Sequence, residues 1–280
     1  MKPETKIFTD QLGNTLSIEK PPVRIVSLVP SLTELLFDLG LEERIVGITK
    51  FCVHPYHLKS TKEKIGGTKK VHVEKIRLLQ PDIIIANKEE NTQEIVESLQ
   101  GIAPVYVTDI NTINDALHVI AEFGKLFAVR TQSQLLTDKI EHARTDFARF
   151  MEGRPWQRSA YFIWKEPYMV AGKGTFIDEM LQLNHFSNIY EAREERYPEV
   201  IAQKMRIQGD PEVIFLPNEP YPFKDEDAFE LGRFTHHAKT VFADGEMFSW
   251  YGSRIVKAFT YFKELQERTT AVSYTHLTLP

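Results

Sequence analysis

The chain has 280 residues, of which 42% are hydrophobic and 26% are charged, and its formal net charge at pH 7 is -5. This length is enough for two α/β lobes with separate cores, and the negative charge disfavours nucleic acid or an anionic membrane as the main partner. The single cysteine, Cys52, excludes an intramolecular disulfide.

No run of about 18 apolar residues occurs in the sequence, which argues against a transmembrane helix. Residues 1–14, MKPETKIFTDQLGN, lack the apolar core of a signal peptide. We therefore expect either a cytoplasmic protein or a chain whose export signal is missing.

The stretch over 24–40, RIVSLVPSLTELLFDLG, predicts a buried strand, a tight turn and a helix. Pro30 ends the strand, Ser31 and Glu34 fit a capping box, and Gly40 is a helix stop. The helix then begins at the carboxyl end of the strand, where ligands bind in α/β sheets. The alternative is that the stretch is only one βα unit of a parallel sheet.

We predict an N-terminal α/β lobe over residues 1–110, with a short hairpin followed by a parallel series. The predicted strands cover 6–9, 16–18, 25–29, 45–49, 82–86 and 104–108, and the predicted helices cover 31–39, 73–79 and a segment that ends at Leu99. The polar loops follow the carboxyl ends of the strands, so we expect them to converge on one rim of the sheet.

Residues 111–152 predict one long helix that joins two lobes. Thr112 and Asp115 fit a capping box, and apolar residues then recur at helical spacing without an internal proline. About 40 residues at 1.5 Å each would span about 60 Å, which is more than one lobe needs. The alternative is a pair of ordinary helices with a break near 130–134.

Residues 153–270 predict a second α/β lobe with the same alternation. Its predicted strands cover 159–164, 168–172, 212–217 and 240–244, and its predicted helices cover 175–183 and about 253–267. The last stretch, SYTHLTLP, continues no period, and we expect residues 271–280 to be a non-native tail.

The sequence does not favour an enzyme or a resident metal site. The stretch over 172–175, GKGT, lacks the first glycine of a phosphate loop, so Thr175 is better interpreted as a helix cap. No Ser-His-Asp or Cys-His arrangement stands out by spacing. The spacing of Cys52, His54 and His57, or of His236 and its neighbour His237, fits no standard metal site.

Five stretches resemble the class III substrate-binding proteins of ABC importers, a family that includes proteins for vitamin B12, ferric siderophores and haem. They are RIVSLVPSLTELLFDLG (24–40), VGITKFCVHP (46–55), VEKIRLLQPDIIIA (73–86), YMVAGKGTFIDEML (168–181) and DGEMFSWYGSR (244–254). The resemblance implies two Rossmann-like lobes joined by one long α-helix, the helical backbone of the class III periplasmic-binding-protein fold.

Within that family the chain looks most like the vitamin B12-binding proteins, in which a glutamate docks onto an arginine of the membrane permease. The matching position here is Glu74, whereas Gln203 occupies the second docking position and removes one of the two charges. The family also implies a periplasmic or cell-surface location, an ABC permease/ATPase complex as partner, and a monomer. The alternative for Glu74 is a solvated acid in the first turn of a helix.

The resemblance also implies a ligand cleft between the lobes, lined by loops at the rim. The expected ligand-binding residues are Ser31, Phe51, His54, Thr68, Lys69, Asn87, Lys88 and Glu89 on the first lobe, and Trp164, Lys165, Glu166, Tyr168, Tyr197, Tyr221, Phe248, Trp250, Tyr251 and Arg254 on the second. Flat aromatic rings suit the face of a corrin, a porphyrin or a catecholate. We expect Lys69, Lys88, Lys165 and Arg254 to meet carboxylates or phosphate of the ligand.

The predicted function is therefore that of an ABC-importer binding protein for a cobalamin-like corrinoid or another metal chelate, with no intrinsic cofactor. The B12 binders carry a tryptophan where this chain has Thr68, so one familiar stacking residue is absent. The alternatives are an iron-siderophore or haem receptor, and a cytosolic metal-cofactor-binding module that is not coupled to import.

Overall fold

The computed structural model describes residues 5–274, with side chains through Thr269. The chain forms two compact units. Unit 1 contains the residues up to Glu141 together with Tyr251–Arg254, and unit 2 contains His142–Trp250 together with the residues from Ile255 onward. The expected non-native tail over 271–280 lies outside the described residues from position 275, and a helix continues up to Tyr274.

Unit 1 begins with an antiparallel hairpin and continues as a parallel α/β series. The elements are β1 (Lys6–Thr9), β2 (Thr15–Ile18), β3 (Ile25–Ser27), α1 (Pro30–Asp38), β4 (Ile45–Ile48), α2 (Leu58–Thr61), β5 (Glu63–Lys64), α3 (Val73–Leu78), β6 (Ile83–Asn87), α4 (Gln93–Gln100), β7 (Val105–Thr108) and α5 (Ile113–Leu126). This confirms the predicted hairpin and parallel lobe.

The sheet of unit 1 has the order β5-β4-β3-β6-β7, and all neighbouring strands in it are parallel. Strands β3, β6 and β7 are buried throughout, as expected for strands covered on both faces. The chain leaves β3 towards β4 on one side and later returns to β6 on the other. The carboxyl ends of β3 and β6 therefore form a topological switch point, the usual place for a ligand in such sheets.

The first helix differs from its prediction at the N-terminus and agrees with it at the C-terminus. Helix α1 begins at Pro30, and its N-cap residue, Val29, provides no side-chain hydrogen bond. The predicted capping box of Ser31 and Glu34 is therefore wrong, because the carboxylate of Glu34 binds a distant arginine instead. The predicted stop is confirmed, since Gly40 follows the helix with φ of 78°.

The segment over 111–152 is two helices rather than one uninterrupted helix. Helix α5 ends at Leu126, α6 (Arg130–Met151) follows, and Ala128 between them has φ of 57°. A side chain at Gly124 would lie 2.0 Å from the Ser133 hydroxyl oxygen, so the two helices approach closely here. The capping box of Thr112 and Asp115 is confirmed. The boundary between the units falls within α6, after Glu141.

Unit 2 has a second parallel sheet with one antiparallel strand at its side. Its elements are β8 (Gln157–Trp164), β9 (Met169–Val170), α7 (Phe176–Leu183), β10 (Phe186–Asn188), β11 (Val213–Pro217), α8 (Asp225–Gly232), β12 (Lys239–Ala243), α9 (Gly245–Ser249) and α10 (Ile255–Tyr274). The parallel order is β10-β8-β11-β12, and β9 pairs with β8. Thr175 caps α7 as predicted, through a bond from the backbone N–H of Asp178.

The core of unit 2 is rich in aromatic rings. Phe248 is fully buried, and its ring centroid lies 4.8 Å from that of Phe262 and 5.1 Å from that of Tyr161. Phe147 on α6 packs in the same unit, 5.3 Å from Phe259 on α10. These ring contacts pack α9 against β8 and α10, and α6 against α10, in the core of unit 2.

Candidate functional site

The carboxyl edge of the unit 1 sheet carries a network of buried amide groups. The side-chain amide of Asn87 donates to the Thr108 hydroxyl at 3.0 Å, and the backbone N–H of Asn87 donates to Oδ1 of Asn91 at 3.0 Å. The amide of Asn91 in turn donates to the carbonyl oxygen of Thr68 at 2.9 Å. Asn87 is thus a structural link between three loops of this edge, and sequence analysis missed Asn91.

A second buried polar group lies beside the switch point. The hydroxyl of Thr33 lies 3.1 Å from the sulfur of Cys52 and donates to the hydroxyl of Ser27 at 2.8 Å. Burial raises the pKa of the Cys52 thiol although hydrogen bonds with Thr33 and Thr49 oppose this shift. The thiol is therefore an unreactive, space-filling group, as the sequence indicates for a cysteine behind a strand.

Three of the unit 1 candidates are well exposed on this edge. The ring of Phe51 has the Lys50 ammonium 4.9 Å above it, Lys88 pairs with Asp109 at 2.7 Å, and Lys69 donates to the carbonyl oxygen of Glu89. The other candidates differ in exposure, since Ser31 is buried, whereas His54, Thr68 and Glu89 are half-buried. Both candidate lysines of unit 1 therefore have partners within the protein.

Arg254 lies in unit 1 and forms a buried, bidentate ion pair with Glu34. Its Nε donates to Oε2 at 2.8 Å and a terminal nitrogen donates to Oε1 at 2.9 Å. The side chains are only 5% and 6% exposed. The guanidinium that sequence analysis assigned to a ligand carboxylate is thus bound to a carboxylate of the protein itself.

Unit 2 presents a group of partly exposed aromatic rings after β8 and β11. The Trp164 ring is 43% exposed and lies edge-on to Tyr221, with 5.5 Å between the ring centroids. Tyr221 packs against Phe223 at 4.7 Å, and Tyr168 packs against Phe162 at 5.6 Å. We call Trp164, Tyr168 and Tyr221 the aromatic group of unit 2. The structure places Trp164 and Tyr221 in contact, and it packs Tyr168 and Tyr221 against the same core cluster.

Lys165 lies next to the aromatic group and is held by two carboxylates of α8. Its ammonium is 2.6 Å from Oδ1 of Asp227 and 3.0 Å from Oε2 of Glu230. Hydrogen bonds to these carboxylates raise the pKa of Lys165. Burial disfavours the ionised form of Asp227, but the bonds from Lys165 and from the Lys224 backbone outweigh burial and lower the pKa of Asp227.

The remaining unit 2 candidates lie in varied surroundings. The indole N–H of Trp250 donates to Glu219 at 2.8 Å and the ring is buried, whereas Glu166 is exposed and Tyr197 is half-buried. Phe248 belongs to the core described above. Tyr251, assigned to the second lobe by sequence, lies in unit 1 and is buried.

No three side chains of His, Cys, Asp or Glu come together to hold a metal ion within residues 5–274. Over the same residues, no helix combines the length and the apolar character that crossing a bilayer requires.

The family model described as "Periplasmic binding protein" matches residues 25–231 of this chain. The chain belongs to the periplasmic binding protein family. The binding protein is 28% identical over 202 residues to an uncharacterized ABC transporter substrate-binding lipoprotein, YvrC, of Bacillus subtilis. The aligned region covers 67% of this chain and 63% of YvrC. It is 23% identical over 250 residues to the vitamin B12-binding protein of Pectobacterium carotovorum, which covers 85% of this chain and 86% of that protein.

The fold of the binding protein is similar to that of the periplasmic vitamin B12 binding protein BtuF of Vibrio cholerae. The TM-score is 0.75 at 20% identity, and the match covers 89% of this chain and 99% of BtuF. The similarity confirms the predicted class III periplasmic-binding-protein fold. The relatives named here are substrate-binding proteins rather than enzymes, and their names place them in the periplasm or among lipoproteins. The alternative of a cytosolic module that is not coupled to import finds no support in them.

Two residues of the binding protein that the sequence singled out for docking are exposed, each in its own unit. Glu74 is 80% exposed in the first turn of α3, and Arg77 lies 3.5 Å from it. Gln203 is exposed in a short 3-10 helix over Ala202–Ile207. Neither side chain is tied into a buried network, so both are accessible to a partner protein.

Sequence reasoning missed the acidic partners of the predicted cations. Lys88 pairs with Asp109, Lys165 pairs with Asp227 and Glu230, and Arg254 pairs with Glu34. The partners in these pairs lie 21 to 220 positions apart in the chain. No local pattern marks such pairs. In the structure Asp227 also accepts the backbone N–H of Lys224, which lies three residues before it at the start of α8.

Proposed function

We propose that this binding protein holds a metal chelate with a flat ring face, a corrinoid first among them, and delivers it to the permease/ATPase complex of an ABC importer. The aromatic group of unit 2 carries the proposal. The group follows the carboxyl ends of β8 and β11, where ligands bind in parallel α/β sheets. Its Trp164 ring remains 43% exposed. The vitamin B12-binding relatives support the choice of corrinoid.

Stacking on Trp164 gives the proposal a magnitude. A tryptophan offers up to about 250 Å² of surface, so the 43% that is exposed corresponds to roughly 110 Å². At about 25 cal/mol per Å², covering it with a ring stabilises the complex by roughly 2–3 kcal/mol, or about 30- to 160-fold in Kd. One stacking contact of this size is a substantial part of micromolar affinity.

The proposed ligand contacts follow the exposure of each candidate. We retain the aromatic group of unit 2, whose rings are partly exposed. We leave out the core ring of Phe248 and the paired guanidinium of Arg254. No resident cofactor is proposed, because the chelate is the transported cargo.

The proposed permease contact uses Glu74 on unit 1, whose exposed carboxylate suits an arginine of the partner. At the second position the amide of Gln203 offers a hydrogen bond without a charge. We therefore propose that only one of these two positions contributes a carboxylate to docking, which would weaken the electrostatic attraction to the permease relative to two carboxylates.

Tryptophan fluorescence tests the proposal, since Trp156, Trp164 and Trp250 all lie in unit 2. The purified protein is titrated with cyanocobalamin, haem, a ferric siderophore and Zn²⁺. We expect saturable quenching by cyanocobalamin and a loss of about 30- to 160-fold in affinity for Trp164→Ala. If only haem and the ferric siderophore quench the fluorescence saturably, the protein is an iron-chelate receptor instead. If none of the four probes quenches the fluorescence, the proposal is wrong.

Trp156 provides a matched control for that titration. It is also well exposed, at 54%, but it precedes β8 and stacks on His185 at 4.7 Å, whereas Trp164 ends the same strand. Trp156→Ala should therefore leave the affinity unchanged. Equal losses from both substitutions would mean that the ligand does not bind at the carboxyl end of β8.

A further inference from the structure

All four cations that were expected to meet an anionic ligand have partners inside the protein. Lys69 donates to a backbone carbonyl, Lys88 pairs with Asp109, and Arg254 pairs with Glu34. Lys165 has two carboxylate partners, Asp227 and Glu230. The case of Lys165 is the most informative, because it alone adjoins the aromatic group of unit 2.

The two carboxylates reverse the charge at this position. One ammonium and two carboxylates leave a net charge of about -1. The more accessible member is an acid, since Glu230 is 40% exposed and Lys165 only 20%. Asp227 is buried and is fixed by a second bond, from the backbone N–H of Lys224 at 2.9 Å. The group formed by Lys165, Asp227 and Glu230 therefore presents negative charge rather than a free ammonium group.

An anionic ligand would have to compete with these carboxylates for Lys165. Removing the ammonium from Asp227 would leave a buried carboxylate without its ion-pair partner, which is strongly unfavourable. A ligand carboxylate would also lie close to Glu230, and like charges at short range repel. A ligand without anionic groups meets neither penalty.

We infer that Asp227 and Glu230 are specificity-determining residues, which withhold Lys165 from the ligand and select an uncharged or cationic chelate over one that bears carboxylates. The inference rests on the proposed function, because it places the ligand against Trp164. It narrows the preferred substrate class to chelates such as a corrinoid without net charge, and it disfavours haem with its two propionates.

The test compares cyanocobalamin, which has no net charge, with haem in the quenching assay. The variant is Asp227→Asn with Glu230→Gln, which keeps both side-chain shapes and removes two negative charges. The matched control is Asp225→Asn with Glu226→Gln, which removes two exposed charges from the same helix. Glu230→Gln alone serves as a second variant, since Glu230 is the more exposed partner of Lys165. Circular dichroism verifies that each protein is folded.

The wild type should bind cyanocobalamin tighter than haem. The double variant should gain about tenfold in haem affinity, which is about 1.4 kcal/mol, and change less than about twofold towards cyanocobalamin. A gain no larger than that of the control would overturn the inference and leave the corrinoid function intact. If the wild type binds haem more tightly than cyanocobalamin, the inference is also wrong. If the wild type binds neither haem nor cyanocobalamin, the proposed function itself is wrong.

Discussion

Replacement of Arg254 by methionine should destabilise unit 1 by about 3–5 kcal/mol. The guanidinium makes two hydrogen bonds of 2.8 and 2.9 Å to Glu34, and both side chains are almost fully buried. The substitution keeps the apolar volume but leaves a buried carboxylate without the cation that compensates its lost hydration. Because folded domains are stable by only about 5–15 kcal/mol, the expected loss is about a fifth of the total or more.

The double substitution Glu34→Leu with Arg254→Met separates the charge from the packing. It removes both ions at once, and replacing a buried pair with apolar side chains is often neutral or stabilising. We expect its stability to lie within about 2 kcal/mol of the wild type. The coupling energy between positions 34 and 254 should then favour the native Glu34–Arg254 pair by several kcal/mol.

Urea unfolding followed by far-UV circular dichroism measures these differences. Arg77→Met is the control, because Arg77 forms an exposed pair with Glu74 at 3.5 Å, and such pairs contribute about 0–1 kcal/mol. The reasoning is refuted if Arg254→Met unfolds at the same urea concentration as Arg77→Met. It is refuted equally if the double variant is no more stable than Arg254→Met.

Two further predictions concern unit 1. Burial raises the pKa of Glu90, so the favourable contribution of its protonated form is complete at low pH and is lost as the pH rises through the folded-state pKa. Glu90→Gln should therefore raise the melting temperature relative to wild type more at pH 7.5 than at pH 4.5, whereas the exposed Glu43→Gln should show no such difference. Gly124→Ala should cost about 1–3 kcal/mol in urea unfolding, because the new methyl group meets Ser133, and Ser133→Gly in the same chain should recover most of the loss.

The repeated alternation of strands and helices was predictable because buried parallel strands are short apolar runs with turn residues around them. Strand β10 was not, since three residues, Phe186–Asn188, are too few to show a period. The break between α5 and α6 was predicted only as the alternative, near 130–134, whereas α5 ends at Leu126. No proline or glycine marks it, and Ala128 adopts a left-handed conformation that its sequence does not favour.

The candidate site was predictable only as far as local order allows. The aromatic group follows from the loops after β8 and β11, because the parallel sheet brings strand ends together. The charges were not predictable, since the partners of Lys165 lie 62 and 65 positions further along the chain. A lysine next to a tryptophan in the sequence suggests a binding site for an anion. The net charge at that position depends, however, on which acidic side chains pair with the lysine in the folded protein.

The return of Tyr251–Arg254 to unit 1 affects the order in which the chain acquires its structure during synthesis. Glu34 precedes Arg254 by 220 positions, and at about 5–20 residues per second a ribosome needs roughly 11–44 s to add them. During that interval the nascent chain has the Glu34 carboxylate without its arginine. Unit 1 therefore has its full set of contacts only after Arg254 has been translated, and a chain that terminates before position 254 leaves it with an uncompensated acid.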